Sequence, residues 1–286
     1  MAYRRADLAA TVVRALREVQ PRSMYVAFDG PKVGEALACA ATRDAVLEAI
    51  DWGCELRTLV RDTNLGCREA VSSGIDWFLT EEPDGVILED DTVPSRLFLE
   101  YARELLHHYR SDDRIAMISG TNLLGAWPAE SSYFFGDGGV WGWATWRRAW
   151  TSADATFSIW DDREARRRAR AFYGEADWHR LRPAFEAVRR GKIDTWDYQW
   201  SFIRASRGQL STIPTRNLVR NIGFRADATH TRDPASTLAG IGVEGFSMPL
   251  EHPRELTFER PYQQAVGRPQ VERSSVLGRL LARARR

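Results

Sequence analysis

The sequence changes its hydrophobic period repeatedly between residues 7 and 118, and that alternation limits the fold more than any other feature. Apolar residues recur at helical spacing over 7–19 (Leu8, Val12, Leu16, Val19), with Asp7 placed as a cap. A short apolar run follows at 23–28 and ends in the turn Asp29-Gly30-Pro31. Helical windows then recur at 35–50, 67–79 and 94–109, the last with Pro94 near its first turn. Strand-like runs at 54–60, 85–88 and 115–118 separate them. Strands joined through helices imply an α/β domain, so the expected architecture is a Rossmann-like, mostly parallel sheet flanked by helices. Ligands in such sheets sit beyond the carboxyl ends of the strands. The chain opens on a helix where a doubly wound sheet opens on a strand, so the first strand is expected to be missing or truncated.

After Gly120 the texture changes. A glycine-rich loop over 136–142 precedes Trp143-Ala144-Thr145-Trp146, and 143–150 is expected as one short helix. Polar, Arg-rich helices are expected at 161–173 and 176–190 as a surface excursion. A further helix over 194–204 puts Trp196, Trp200 and Ile203 on one face, and 210–213 is a short strand. Nine of the 11 Trp lie between Trp127 and Trp200. That stretch reads equally as a wall for a ring-bearing ligand or as a Trp-rich core. Beyond Asp233 the chain is irregular, and its end, 276–286, is a short basic amphipathic segment. A solvated fray is the main expectation for that tail, and weak contact with a membrane surface is the alternative.

The net charge of +1 gives no sign of a nucleic-acid partner. No apolar run approaches the roughly 20 residues that span a bilayer, and the N-terminus lacks a secretory core segment. Cys39, Cys54 and Cys67 are odd in number and not spaced as metal ligands, so they read as reduced thiols in a cytoplasmic protein.

Several groups could carry chemistry. Glu89-Asp90-Asp91 follows the apolar Val86-Ile87-Leu88, which places three like charges at a strand exit. A hard divalent cation such as Mn²⁺ or Mg²⁺ would offset their repulsion while keeping positions for water and phosphate oxygens. Asp29 can accept from a nucleobase or ribose, although an Asp before Gly also simply forms a turn. Asp194 and Asp197 share a helical face beside Trp196 and Trp200. There Asp194 is read as a helix cap and Asp197 as a partly desolvated general base. His230 is a candidate metal or phosphate ligand, and Arg5 a candidate phosphate partner. No phosphate loop, Gly-x-Ser-x-Gly elbow or His-Glu-x-x-His zinc site occurs.

The motifs Asp29-Gly30-Pro31, Asn64-Leu65-Gly66-Cys67, Val86 to Asp91, Met117 to Asn122, Trp141 to Trp146, Gly191 to Trp200, and Asn221-Ile222-Gly223-Phe224 running to Asp227-Ala228-Thr229-His230-Thr231 occur in a telling order. The chain resembles bacterial nucleotide-diphospho-sugar transferases of the GT-A fold. Some of these carry a haemolysin-related label, and their motif order is similar to the N-acetylglucosaminyltransferase I group. The resemblance spans about residues 3–232. It implies a glycosyltransferase domain over 1–232, with a nucleotide-sugar half (1–122), an acceptor half (123–232) and a C-terminal extension (233–286). It also implies an inverting, metal-dependent transfer from a UDP-sugar or similar donor to a hydroxyl or amine of a glycan or small-molecule acceptor. Asp91, with His230, would hold the metal, and Glu89 and Asp90 would face the donor. Asp29, Asn64 and Arg5 would contact the nucleotide and diphosphate. Asp197 would be the base, and Trp141, Trp143 and Trp196 would wall the acceptor. The rival readings are a sugar nucleotidylyltransferase, which would need a Gly-rich basic loop after its first strand, and a non-catalytic nucleotide-sugar-binding protein.

Overall fold

A computed structural model of the chain describes residues 1–150, 156–225 and 236–268. The expected alternation forms: α1 (Ala6–Leu16), β1 (Ser23–Phe28), α2 (Ala36–Ala49), β2 (Glu55–Val60), α3 (Gly66–Glu81) and β3 (Asp84–Ile87). After a short β4 (Thr92–Pro94) come α4 (Arg96–His108) and β5 (Ile115–Ser119). Pro94 closes β4 rather than opening α4. The cap of α4 is Ser95, whose hydroxyl accepts from the Phe98 N–H at 3.1 Å.

The mostly parallel sheet is corrected to a mixed one. Its five strands run in the order β3-β7-β5-β8-β6, where β6 is Tyr133–Gly136, β7 Trp143–Trp146 and β8 Leu210–Pro214. Among the described residues, four of the six strand pairings are antiparallel. The cause is visible in the order. Strand β7 is antiparallel to both β3 and β5, so those two run the same way, as their connection through α4 demands. The late strand β7 has been inserted between them. Strand β8 continues the common direction and β6 closes the edge antiparallel. Strands β1 and β2 form a separate parallel pair, and β4 pairs antiparallel with β9 (Val219–Asn221).

Both faces of the five-stranded sheet are covered. Phe98, Tyr101 and Leu105 of α4 pack on Ile118, Ala144 and Trp146. Ile75 and Leu79 of α3, Trp150 of α5 (Arg147–Trp150) and Trp200 and Ile203 of α8 (Asp197–Ser206) pack on Met117 and Trp143 from the other side. The Arg-rich helices α6 (Arg163–Tyr173) and α7 (Glu175–Arg189) carry their own aromatic cluster, built on Phe157, Trp160, Phe185 and Phe202. The segment expected to be irregular contains a helix, α9 (Arg260–Gly267), whose Tyr262 and Ala265 pack on Phe134 and Ile213. Among the described residues no helix is long and apolar enough to cross a membrane. Cys39, Cys54 and Cys67 form no disulfide. The basic tail lies outside the described residues.

Candidate functional site

The acidic triplet occupies the tight connection between β3 and β4. Thr92 builds that turn. Its hydroxyl accepts from the Glu89 N–H at 2.9 Å and donates to the Glu89 carbonyl, and its own N–H reaches the same carbonyl at 3.1 Å. The Ile222 N–H donates to the Asp91 carbonyl at 2.9 Å, which ties the turn to the end of β9. A Cβ at Gly223, just past β9, would collide with the Asp91 side chain, so a larger residue there would have to displace that carboxylate.

Three carboxylates in a partly buried turn repel one another. Burial first, then Asp91, Asp90 and Asp197, push the Glu89 carboxyl up to about 8. Burial and the Asp90 charge also raise Asp91, against the pull of Arg5. The nearby Met1 amine opposes the rise of Glu89, and the Arg5 guanidinium offsets the cluster by direct contact. Its Nη2 donates to Asp90 Oδ1 and to Asp91 Oδ2 (2.8 Å), and its Nε donates to Asp90 Oδ2 at 3.3 Å. Two carboxylates therefore converge on one cationic nitrogen. That donor set also fits a hard divalent ion that takes one or two protein carboxylates and completes its shell with water and phosphate. Among the described residues no group of three or more His, Cys, Asp or Glu is arranged to hold a metal. His230 lies outside the described residues.

At the exit of β1, Asp29 acts as a staple between two loops. Its Oδ1 accepts from the N–H groups of Gly30 (2.9 Å) and Leu65 (3.0 Å), and its Oδ2 from the Asn64 amide (2.7 Å). Asn64 also donates to the Gly30 carbonyl at 3.1 Å. The backbone of Thr63 lies where a Cβ of Gly30 would be, so the approach of the two loops depends on that glycine.

Asp194 corrects an expectation. It stands outside α8, which begins at Asp197, and caps α3 instead. Its carboxylate accepts from the N–H groups of Cys67 (2.9 Å) and Arg68 (3.2 Å), two of the orphan donors of that helix. Asp197 is half-buried in the first turn of α8, and one of its oxygens accepts from the Thr195 hydroxyl.

Most of these pieces meet in one place, although Asp91 and Asp197 are not among the residues that line it. A cavity of about 160 Å³ is lined by Arg5, Asp29, Asn64, Glu89 and Asp90 together. Asp194 lines it too, as do Lys32 and Arg61, neither of which was picked out from the sequence. Arg61 directly follows β2, so the rule that ligands sit at strand exits could have found it.

The acceptor wall is corrected in part. Trp143 is 0 % exposed and Trp196 3 %, and their rings stack at 5.4 Å among Trp150 and Trp200. Both are core: Trp143 lies on β7, an interior strand covered on each face, and Trp196, at the start of α8, packs against it. Trp141, just before it, stays half-buried and meets Phe224 edge to face at 5.7 Å. No protein-family model matches this chain, and no curated protein matches it.

Proposed function

We propose that the protein transfers a sugar from a nucleotide-diphosphate donor to a hydroxyl or amine acceptor with inversion at the anomeric carbon. The observation that carries this reading is the convergence of Arg5, Asp29, Asn64, Glu89 and Asp90, from four separate segments, on one cavity at the strand exits. The exits of β1 and β2 supply neutral and anionic acceptors of the kind that read a base and a ribose. Arg5, Lys32 and Arg61 supply the positive charge a diphosphate requires.

Asp90 and Asp91 are the residues that would hold a divalent cation, and the chemistry such an ion supplies is neutralisation of a departing diphosphate. Arg5 now ties those two acids. With a donor in place, its guanidinium is within the same cavity to bind phosphate oxygens. Asp197 takes the proton of the acceptor while the acceptor oxygen or nitrogen bonds to the anomeric carbon. The bond from that carbon to the diphosphate breaks, and the diphosphate leaves with the electron pair. The Thr195 hydroxyl occupies one oxygen of Asp197 and leaves the other for the acceptor.

A panel of nucleotide sugars, each tested with and without Mn²⁺ by thermal shift, tests the reading. Stabilisation by one donor class that depends on the metal supports it. Stabilisation that ignores Mn²⁺, with no product on any acceptor, favours a binding protein without catalysis.

A further inference from the structure

Five of the six residues of β2 are exposed, and among the described residues the strand bonds only β1. The Glu55 N–H donates to the Arg22 carbonyl at 2.7 Å, and the Arg61 N–H to the Phe28 carbonyl at 3.1 Å. With a period of two, the backbone groups of the odd-numbered residues therefore face β1, and those of Leu56, Thr58 and Val60 face outward along a free edge. The parallel register sets the same three side chains beside Met24, Val26 and Phe28. Helices α1 and α2 cover those β1 residues but leave the row on β2 open, with Leu56 37 % exposed and Val60 47 %.

Sheets protect such an edge with lysine, proline, a bulge or a covering segment. The outward row of β2 carries no charge and no proline, and its pairing with β1 has no register shift. Of the seven large apolar residues that are exposed among the described residues, five belong to this one unit: Val33, Leu37 and Leu47 in and just before α2, and Leu56 and Val60 on β2. Leu37 and Leu47 lie away from the buried face of α2, which is Thr42, Val46 and Ala49, so that helix is apolar on both sides. An apolar surface beside an unpaired edge is suited to docking by strand addition.

We propose that the β2 edge is a dimer interface, on which a second copy of this chain pairs antiparallel about a dyad through Thr58. The strand is complementary to itself in that register. Only outward-facing residues exchange ladder bonds, so an even-numbered residue must lie opposite an even-numbered one. Centring on Thr58 is the choice that pairs the whole strand. Thr58 then lies opposite the partner's Thr58, and Leu56 opposite the partner's Val60, an apolar pair made twice. On the other face Glu55 lies opposite the partner's Arg61, an opposite-charge pair also made twice. Arg57 falls opposite the partner's Leu59, with its charge already held by Glu81 at 2.6 Å. A dyad normal to the sheet keeps both copies of α2 on one side, flanking a floor of Leu56 and Val60 from both chains. The joined sheet runs β1-β2-β2-β1 across the two copies. The inference does not rest on glycosyl transfer.

Sedimentation equilibrium of the full chain, with far-UV circular dichroism beside it, provides the test. The unaltered chain is expected to double its mass as concentration rises through the micromolar range. Over the same range the Leu56, Thr58 and Val60 amides are expected to exchange more slowly by about tenfold or more. Thr58→Pro removes an outward N–H and sets a ring on the edge, which an edge strand accepts because that N–H does not face β1. It is expected to stay monomeric with an unchanged spectrum. Leu56→Lys combined with Val60→Lys changes only exposed side chains and is expected to stay monomeric as well. A native chain that is monomeric at every concentration would overturn the proposal. So would a dimer that survives in either variant once its spectrum shows it folded. Protection of the three amides already complete in the dilute monomer would do the same, because it gives the edge to another occupant.

Discussion

At the scale of single residues, the site is held by carboxylates that do different work. Asp194 caps α3 from the far side of the cavity, and Gly66 makes room for it. The φ of Gly66 is +80°, and a Cβ there would stand 2.5 Å from Asp194 Oδ2. Asp194→Ala is expected to cost about 1 kcal/mol in urea unfolding, the usual loss for a removed cap, and Asp194→Asn distinctly less. Gly66→Ala is expected to destabilise more in the native background than in Asp194→Ala, because part of its penalty is the collision and part is the left-handed backbone. Arg5 carries the opposite charge. Arg5→Ala leaves Asp90 and Asp91 facing each other with no cation between them, for an expected loss of about 3 kcal/mol. If those acids bind a divalent ion, Mn²⁺ restores more of the Tm in Arg5→Ala than it adds to the unaltered chain; an equal response in both would remove that assignment. The individual acids were legible from residue type and position, but their partners were not. Asp29 meets the Leu65 N–H 36 residues away and Asp194 meets the Cys67 N–H 127 residues away. A local reading offers Asp194 only its own helix.

Element by element, the segments with long periods were readable and the short ones were not. Helices α1 to α4 and strands β1, β2, β3 and β5 fall close to the positions their apolar spacing implies. Strands β4, β6 and β9 are three or four residues long and carry too few positions to display a period. The case that misled is β7. Four residues, Trp-Ala-Thr-Trp, run into α5, and as one stretch they read as a helix. What makes β7 a strand is tertiary: it fits between β3 and β5 and pairs with both. That placement converts the expected acceptor residue Trp143 into core, and Trp196 stacks on it from the start of α8. Trp143→Ala is therefore expected to cost about 4 kcal/mol of stability, with Trp143→Phe losing much less. Trp141→Ala, on a half-buried ring, is expected to cost about 1 kcal/mol or less. An assay of transfer should then find any change in acceptor KM in the Trp141 variant. A Trp143→Phe variant of normal stability with a raised acceptor KM would contradict the burial argument.

Across the whole molecule, residues 242–252 tie the C-terminal part to the face of the sheet that α4 covers. The Glu244 N–H donates to the Asn217 carbonyl, Asn217 donates to the Gly242 carbonyl, and Glu251 and Ser132 bond reciprocally. Leu250 joins the core under this strap, and Phe246 packs edge to face on Tyr101 at 6.0 Å. The strap ends at His252, which stacks on His108 at 4.2 Å, bonds Tyr133 at 2.7 Å and lies 3.4 Å from Glu104. Two stacked imidazoles tolerate charge poorly. Burial first, then His252, pull His108 below its ordinary value of 6.5, against the favourable charges of Glu104 and Asp112, while His107 adds to the depression. The sign follows. Above about pH 6.5 His108 is neutral in both the folded and unfolded chain, and its contribution is fully present. As pH falls through 6.5 the unfolded chain takes up the proton first, and stability is lost until the folded His108 also titrates. Tm measured at pH 7.5 and pH 5.5 is expected to fall further in the unaltered protein than in His108→Gln, which keeps a polar side chain of similar length and removes both the ring stack and the titration. Equal falls in both would mean that carboxylates elsewhere, and not this stacked pair, set the acid sensitivity of the strap.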